Sequence, residues 1–599
     1  MKLSDYIADF LAKRDISHAF VVTGGASVHL IDSISKHPNI EHICPQNEQA
    51  AAMAADAYAR VKENFGVAIS TSGPGATNML TGICSAYYDS VPVIYITGQV
   101  STFRSKKGTG VRQVGFQETD VVSMFQFVTN YAVKIENEKR IRYELEKACY
   151  MAKNGRPGPV LIDIPDNLQR ADINPEELER FILPNSSNIQ EELESQVDIC
   201  LEMFRKAKRP VLILGWGIRL AKASKEAERL IEKAGIPFLP TWAVADFFPS
   251  NHHLYIGTFG THGTRYANFA VQNADFVLSI GSRLDTKATG SPLNTFAREA
   301  KKVMVDIDKN ELNKFKKFKL NIDLLINCDA KIFLQKLNTK IKDIENANIT
   351  DWVNQITLWK RKYPICPPNY YKEEKVNPYV FVKILSQLSK EGDNIVVDTG
   401  CCLAWMMQGF DFKKNQRLYH DWNNTAMGWA LPASIGVSFA KNKSPVICVT
   451  GDGSLQMNIQ ELATIMRYEL PIKIFLLNNK GFSMIRQTQD QWLNSHYVAS
   501  SIKGGLPDLN YSKIAKAYGF YTIDISKNNN IKKYIQKTFK SKSPVFCNVK
   551  ISPNHRVIPQ VKYGKPNEDP EPLLDREDFF KDMIVPPMDS LMNRQKTKK

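Results

Sequence analysis

The sequence predicts an α/β protein of three doubly wound parallel-sheet domains followed by a C-terminal tail. Short apolar, β-rich runs recur along the chain, separated by amphipathic or Ala-rich stretches of helical length, as in parallel strands joined by helical crossovers. Two polar stretches, one of them proline-bearing, divide these runs into three groups. The 599 residues also suffice for about three to five domains of ordinary size.

Taken in order, the opening MKLSDYIADFLAKRDI carries Asp5 and Asp9 inside its apolar pattern. It reads as an amphipathic helix rather than a signal peptide, which places the expected location in the cytoplasm. Candidate buried strands follow at residues 18–22, 67–70, 91–97 and 160–164, with a helix expected over 48–60, giving a first domain over 1–180. A polar break at 185–192 precedes a second domain over 190–343, with strands expected at 211–214, 276–280 and 303–307. Polar, proline-bearing sequence at 360–378 leads into a third domain over 375–550, with strands at 394–397, 446–450, 472–477 and 545–549. The tail, 551–599, is rich in Pro, Lys, Asp and Glu but keeps Leu573-Leu574 and Phe579-Phe580, so it is expected to dock over the body and fray at its lysine-rich end.

Composition narrows the function classes. The chain is 43% hydrophobic and 23% charged with a mean hydropathy of -0.29, and no apolar run approaches the roughly 18–20 residues that span a bilayer. The net charge of +16 raises the question of nucleic acid. The lysines at 309–319 alternate with asparagine and apolar residues, and no nucleic-acid-reading motif accompanies them, so neither a nucleic-acid nor a membrane partner is expected. Ten cysteines without a CxxC pair or a Cys/His cluster point to reduced thiols rather than disulfides or structural zinc.

The chemistry concentrates in PVICVTGDGSLQMN and PIKIFLLNNKGFSM, two predicted strands that each end in a small polar loop. Asp452 and Asn479 fall on those ends, and neighbouring parallel strands present their C-terminal ends side by side, where open α/β sheets bind ligands. One carboxylate, one amide oxygen and a backbone carbonyl near Gly481 are hard donors suited to Mg2+, whose remaining positions take phosphate and water. Gly451 and Gly453 let a phosphate approach the backbone, and the helix start beyond them offers N–H groups. A lone Gly-Asp-Gly is an ordinary turn; followed after 24 residues by Asn-Asn, with both halves behind strands, it is a far more specific signal.

On these residues the chain resembles the thiamine diphosphate enzymes. Further segments narrow the resemblance to the acetolactate synthase large-subunit family: PQNEQAAAMAADAYAR, STSGPGATN at 70–78, GFQETD at 115–120 and NTAMGWALPASIG at 424–436. The resemblance implies that Glu48 hydrogen-bonds the cofactor's pyrimidine nitrogen, so that the cofactor's own amino group removes the thiazolium C2 proton. By itself, a Glu in the first turn of an Ala-rich helix is more often a partner of the helix dipole. It also implies that Met427 is the wedge that bends the cofactor, and that Phe116, Gln117 and Met484 line the reaction pocket, although apolar side chains at such spacing are core residues by default. Pro74, Asn78, Gly400, Ala426, Gly451, Gly453, Ser454 and Gly481 would contact thiamine diphosphate. The middle segments TFGTHGTRYANFAVQNADFVLSIGSRLDTKATG and LNTFAREAKKVMVDIDKNEL resemble the family's FAD-binding domain, which assigns Arg156, Gly217, His262, Arg283, Asp285, Asp306 and Asp329 to FAD; the alternative is a structural α/β domain without flavin. A homodimer or homotetramer is implied, the first domain of one chain facing the third of another.

The chain departs from the family at several positions. Asn47 stands where His is usual, Cys401 and Cys402 where Gln-His is usual, Thr286-Lys287 where Asp-Arg is usual and Thr488 where Trp is usual. The last three concern the second-substrate side, where losing a Trp opens volume and adds a hydroxyl. The tail segment VIPQVKYGKPNEDPEPLLDREDFF looks more like sugar-modifying relatives. The expected activity is therefore decarboxylation of a 2-oxo acid such as pyruvate and transfer of the two-carbon unit to a carbonyl acceptor, either pyruvate, giving acetolactate, or a larger keto acceptor such as a keto-sugar. The competing readings are a non-ligating decarboxylase, a flavin-dependent pyruvate oxidase and a catalytically silent regulatory relative.

Overall fold

A computed structural model of the chain describes residues 1–184, 191–341 and 349–588. Three separate sheets, all parallel, carry the architecture. The first holds β1 (His18–Val21), β2 (Glu41–Ile43), β3 (Gly66–Ser70), β4 (Val93–Gln99), β5 (Tyr131–Lys134) and β6 (Val160–Pro165), in the order β2-β1-β3-β4-β6-β5. The second holds β7 (Pro210–Leu214), β8 (Phe238–Pro240), β9 (Phe276–Ile280), β10 (Lys301–Asp306) and β11 (Leu324–Asn327), in the order β11-β10-β9-β7-β8. The third holds β12 (Asn394–Val397), β13 (Arg417–Tyr419), β14 (Val446–Gly451), β15 (Ile472–Asn478), β16 (Tyr521–Ile525) and β17 (Val545–Lys550), in the order β13-β12-β14-β15-β17-β16. Counted from its own first strand, the third sheet repeats the order of the first. Central strands such as β3 and β4 are buried along their whole length, because helices cover both faces and leave no solvent side for polar residues.

The N-terminal segment forms the expected helix, Leu3–Ala12. The polar break at 185–192 lies largely outside the described residues, as do the end of the second block near 343 and the lysine-rich end of the tail. Among the described residues no helix is long and apolar enough to cross a membrane.

The helix after β2, Glu48–Lys62, packs on the helix after β13, Ala430–Ala440, and joins the first and third domains. Small side chains permit the approach: a Cβ placed on Gly436 would lie 2.1 Å from the carbonyl oxygen of Ala54. Gly436→Ala is therefore expected to push the two helices apart and cost about 1–3 kcal/mol, the usual range for overpacking. Urea unfolding checks this, and an unchanged midpoint would refute the close contact. Polar groups fix the same junction. Arg60 forks onto Asp56 at 3.0 Å, reaches Asp89 at 2.8 Å and donates to the backbone oxygen of His420 at 2.9 Å, while Trp429 Nε1 donates to Asp56 at 3.0 Å.

The tail docks on the second domain. Glu568 accepts from Gln272 at 2.5 Å and pairs with Arg298 at 3.0 Å; Arg265 donates to the carbonyls of Pro570 and Pro572 at 3.1 and 2.7 Å. The helix Arg576–Asp582 buries Phe579 against Phe269, ring centroids 6.3 Å apart. Leu574 and Phe580 pack against the same cluster, whereas Leu573 stays exposed.

Candidate active site

Strand order reverses between β12 and β14, and the third domain gathers its polar loops at the C-terminal edge around that point. Gly451 of β14 pairs with Leu477 of β15, which sets the Asp452 and Asn479 loops side by side. Asp452 accepts from the N–H of Gly453 at 3.1 Å and of Gly481 at 2.9 Å, so Gly481 folds back onto the carboxylate. Its carboxyl is pushed up to about 6 by burial, against the pull of those backbone donors. Asn479 accepts from Arg486 Nη2 through its backbone oxygen at 3.0 Å and its Oδ1 at 3.4 Å. No group of three His, Cys, Asp or Glu suited to a metal occurs among the described residues, so a cation here depends on amide and carbonyl oxygens beside a single carboxylate.

Open space that could admit an anion lies next to these residues. Gly400, at φ +93°, opens the helix Cys401–Gly409, and a Cβ on either Gly400 or Gly451 would meet nothing within 4 Å. Ser454 is buried in the turn that follows. Met427 reaches over this floor, its Cε 3.3 Å from where a Gly453 Cβ would stand. The Met427 turn is tied down by Asp398, a buried carboxylate that accepts from the N–H of Gly428 at 3.1 Å and of Ala430 at 3.3 Å and from Thr450 Oγ1 at 3.1 Å. Met484 begins the helix Ser483–Trp492 and is half-buried; Thr488, one turn on, donates its hydroxyl to the Met484 carbonyl at 3.2 Å. That hydroxyl has its proton committed and is left with acceptor capacity.

A second constellation sits on the first domain. Asn47 caps the Glu48–Lys62 helix by accepting from Gln49 N–H at 2.8 Å, which turns Glu48 outward in the first turn. Glu48 Oε2 accepts from Asn78 Nδ2 at 2.9 Å. Its Oε1 overlooks Gly75 in the short helix Pro74–Asn78, 3.4 Å from the point a Cβ would occupy. Gln117, at φ +60°, lies against Gly73. Phe116 is 86% exposed in the single chain, so the default expectation of a core residue fails there. Among the described residues no hydrogen bond joins Glu48, Asn78 or Gln117 to the Asp452 loops within one chain.

The second domain contributes a cleft of about 300 Å3 at the switch between β7 and β9. Arg156, Gly217, His262, Arg283, Asp285, Asp306 and Asp329 all line it. Gly217 N–H donates to the Gly281 carbonyl at 2.9 Å, leaving a floor without side chains, while Asp306 and Asp329 end β10 and open the helix Ala330–Lys340. Arg156 is committed to Asp308 at 3.0 Å and Glu311 at 2.9 Å, and Arg283 Nε stands 3.3 Å from Glu311. Asp285 caps the short helix Thr286–Thr289. His262 is held near about 4 by burial and by Lys287, and its Nε2 accepts from Gln560 of the tail at 3.1 Å. The sequence gives no sign of this contact or of Asp398 and Arg486: each is a lone residue whose partners are scattered or lie in another domain.

Three family models match in the order of the three sheets: the thiamine pyrophosphate enzyme N-terminal TPP binding domain over residues 1–124, the central domain over 197–337 and the C-terminal TPP binding domain over 398–549. The chain belongs to the thiamine pyrophosphate enzyme family. Full-length relatives agree with that membership. The chain is 33% identical over 572 residues to an acetolactate synthase large subunit of Cyanidium caldarium, covering 94% of this chain and 95% of the relative. It is 32% identical to acetolactate synthase 2, chloroplastic, of Nicotiana tabacum, covering 94% and 84%, and 31% identical to the large subunit of Pyropia yezoensis, covering 94% of each. The protein is thus an acetolactate synthase-like enzyme of the thiamine pyrophosphate family, a transferase with the three-domain α/β fold of that family.

Proposed function

We propose that the enzyme decarboxylates pyruvate and transfers the two-carbon unit to a carbonyl acceptor, with Asp452, Asn479 and the Gly481 carbonyl holding Mg2+ against the diphosphate of the cofactor. The observation that carries this reading is the convergence of those three residues on adjacent strand ends beside an open glycine cradle. When bound, thiamine diphosphate supplies the carbanion that attacks the 2-oxo acid and the electron sink that lets CO2 leave. The chain's residues do the rest. Gly400, Gly451, Gly453 and Ser454 line the diphosphate site; Ala426 and Met427 brace the middle of the cofactor. Glu48, oriented by Asn78 and facing Gly75 in the helix that Pro74 opens, holds a proton at the pyrimidine nitrogen through Oε1. Phe116, Gln117 and Met484 shape the space around the reacting carbons and exclude water from it.

Because, among the described residues, no hydrogen bond joins Glu48 to the Asp452 loops within one chain, we read the site as completed between two copies, in a homodimer or a homotetramer. The exposed Phe116, Phe103 and Val114, 86, 70 and 54% accessible, lie in the first domain and suit such a contact. FAD fits the second-domain cleft: glycine backbone at Gly217 and Gly281 admits a pyrophosphate, and Asp306 and Asp329 suit ribose hydroxyls. Trp242 Nε1, buried in the same cleft, has no hydrogen-bond partner among the described residues. Arg156, Arg283, Asp285 and His262 would complete its walls.

The acceptor side favours a polar, larger keto compound such as a keto-sugar. Lys287 has no ion-pair partner among the described residues, and Thr488 replaces a bulky ring with an accepting oxygen. Incubation of the protein with thiamine diphosphate, Mg2+, FAD and labelled pyruvate, with and without keto-sugars, tests this by mass spectrometry. A two-carbon adduct of the keto-sugar is expected. Rapid acetolactate formation from pyruvate alone, unaffected by keto-sugars, would overturn the choice of acceptor and leave the carboligase reading intact.

A further inference from the structure

Asp421 is a fully buried acid that the reaction above leaves without a task. It follows β13, and its Oδ2 accepts from Ser85 Oγ on the helix Leu80–Tyr88 and from the N–H of Ala426, both at 2.8 Å. Ala426 immediately precedes Met427. Between them and the acid, Thr425 takes φ +52°, a left-handed conformation unfavourable for a β-branched residue, and its N–H is bonded to the Asp421 carbonyl at 3.1 Å. One residue therefore restrains a strained turn with both backbone and side chain, and fastens it to the first domain. Asn424 Nδ2 adds a bond to Ser85 Oγ at 3.3 Å.

The surroundings are unusual in charge. Arg60, which Asp56 also pairs with, faces Asp421 from the Glu48–Lys62 helix, Cys84 and Asp89 face it from the helix Leu80–Tyr88 and its end, and His420 precedes it in the chain. The guanidinium of Arg60 bonds directly to Asp56 and Asp89 but not to Asp421. Asp421 Oδ1 meets no hydrogen-bond partner among the described residues. Three buried carboxyls thus share one cation, which makes the third the easiest to protonate. Burial first, and then Asp89, push Asp421 up to about 7.

We propose that Asp421 is a positioning residue for the cofactor turn: as a carboxylate it clamps the Ala426 N–H and the Ser85 hydroxyl together, and taking up a proton loosens the clamp and the Met427 wedge with it. The proposal rests on the reading that Met427 braces thiamine diphosphate.

Trp422 and Trp429 flank the turn and serve as native fluorescent reporters. The test is titration of full-length protein with thiamine diphosphate and Mg2+ between pH 6 and 8, for the wild type, Asp421→Asn, Ser85→Ala and Met427→Ala, with thermal melting to establish folding. Asp421→Asn keeps the shape of the acceptor without its charge. Its Kd relative to wild type is expected to rise about five- to tenfold more at pH 8 than at pH 6, the margin of a charge-assisted over a neutral hydrogen bond. Ser85→Ala keeps the acid but removes a donor to its ionised form, so the pH step persists and moves to higher pH. A Kd ratio that does not change with pH, or a Ser85→Ala step at the wild-type pH, overturns the clamp. Should Asp421→Asn not fold, the Ser85→Ala shift alone decides. Met427→Ala separates the two failures: unchanged cofactor affinity and turnover there sink the wedge reading, whatever the pH step does.

Discussion

Glu48→Gln is expected to lower carboligation about 10^2- to 10^4-fold, the range for loss of a positioned acid or base, while cofactor affinity survives. The substitution is nearly isosteric, and the new carboxamide oxygen can still accept from Asn78 Nδ2, so the first turn of the Glu48–Lys62 helix should keep its shape. What disappears is a carboxyl that can take up and return a proton through Oε1. The metal cradle is on another domain and is untouched, which is why binding and turnover part company. Steady-state product formation beside calorimetric titration of thiamine diphosphate with Mg2+ reads both. An undiminished rate would remove Glu48 from the proton relay, and a matching loss of affinity would make it a binding residue instead.

The second large effect is expected at Asp452→Ala, where Mg2+-dependent binding of the cofactor should weaken by about 3–5 kcal/mol, more than a hundredfold, as when one partner of a buried charge pair is removed. The carboxylate takes its hydrogen bonds from the backbone of Gly453 and Gly481, so the alanine leaves two donors unsatisfied as well as removing the proposed metal ligand. Asp452→Asn separates these effects: the amide oxygen preserves one backbone contact but supplies no negative charge to the cation. Comparable losses in both variants, measured by calorimetry at fixed Mg2+, identify charge as the deciding property. Wild-type affinity in Asp452→Ala would move the metal site elsewhere.

The interior of each sheet was legible because a strand covered on both faces has no room for polar residues and reads as a continuous apolar run; the eleven expected runs coincide with interior strands. The six strands without such a signal are β2, β5, β8, β11, β13 and β16, which are the two edges of each of the three sheets. Edge strands are short, three to five residues: β2 reads Glu-His-Ile and β13 Arg-Leu-Tyr, too few to show a pattern that distinguishes them from loop. The same logic divides the site. Asp452 and Asn479 announce themselves because each follows a strong strand and sits among small residues. Asp398 and Asp421 do not, since an isolated aspartate becomes informative only when the N–H groups and hydroxyls that converge on it are brought from other elements. Left-handed Thr425 is silent for a related reason: its conformation is held by its own bond and that of Ala426 to Asp421 rather than by its own preference.

The first and third sheets have one strand order, and the helices through which their domains touch are the corresponding helices of the two, each following the second strand. A contact built from the same element of two copies of one fold has the form of a twofold homodimer interface. The chain therefore carries, within a single polypeptide, two like domains set against each other through the same element, as the subunits of a twofold dimer would be. The two domains differ in what they carry, one an acid at its helix start and the other the Asp452 and Asn479 loops at its strand ends. Neither half is a smaller version of the enzyme, and an excised domain would keep the fold without a complete set of reagents.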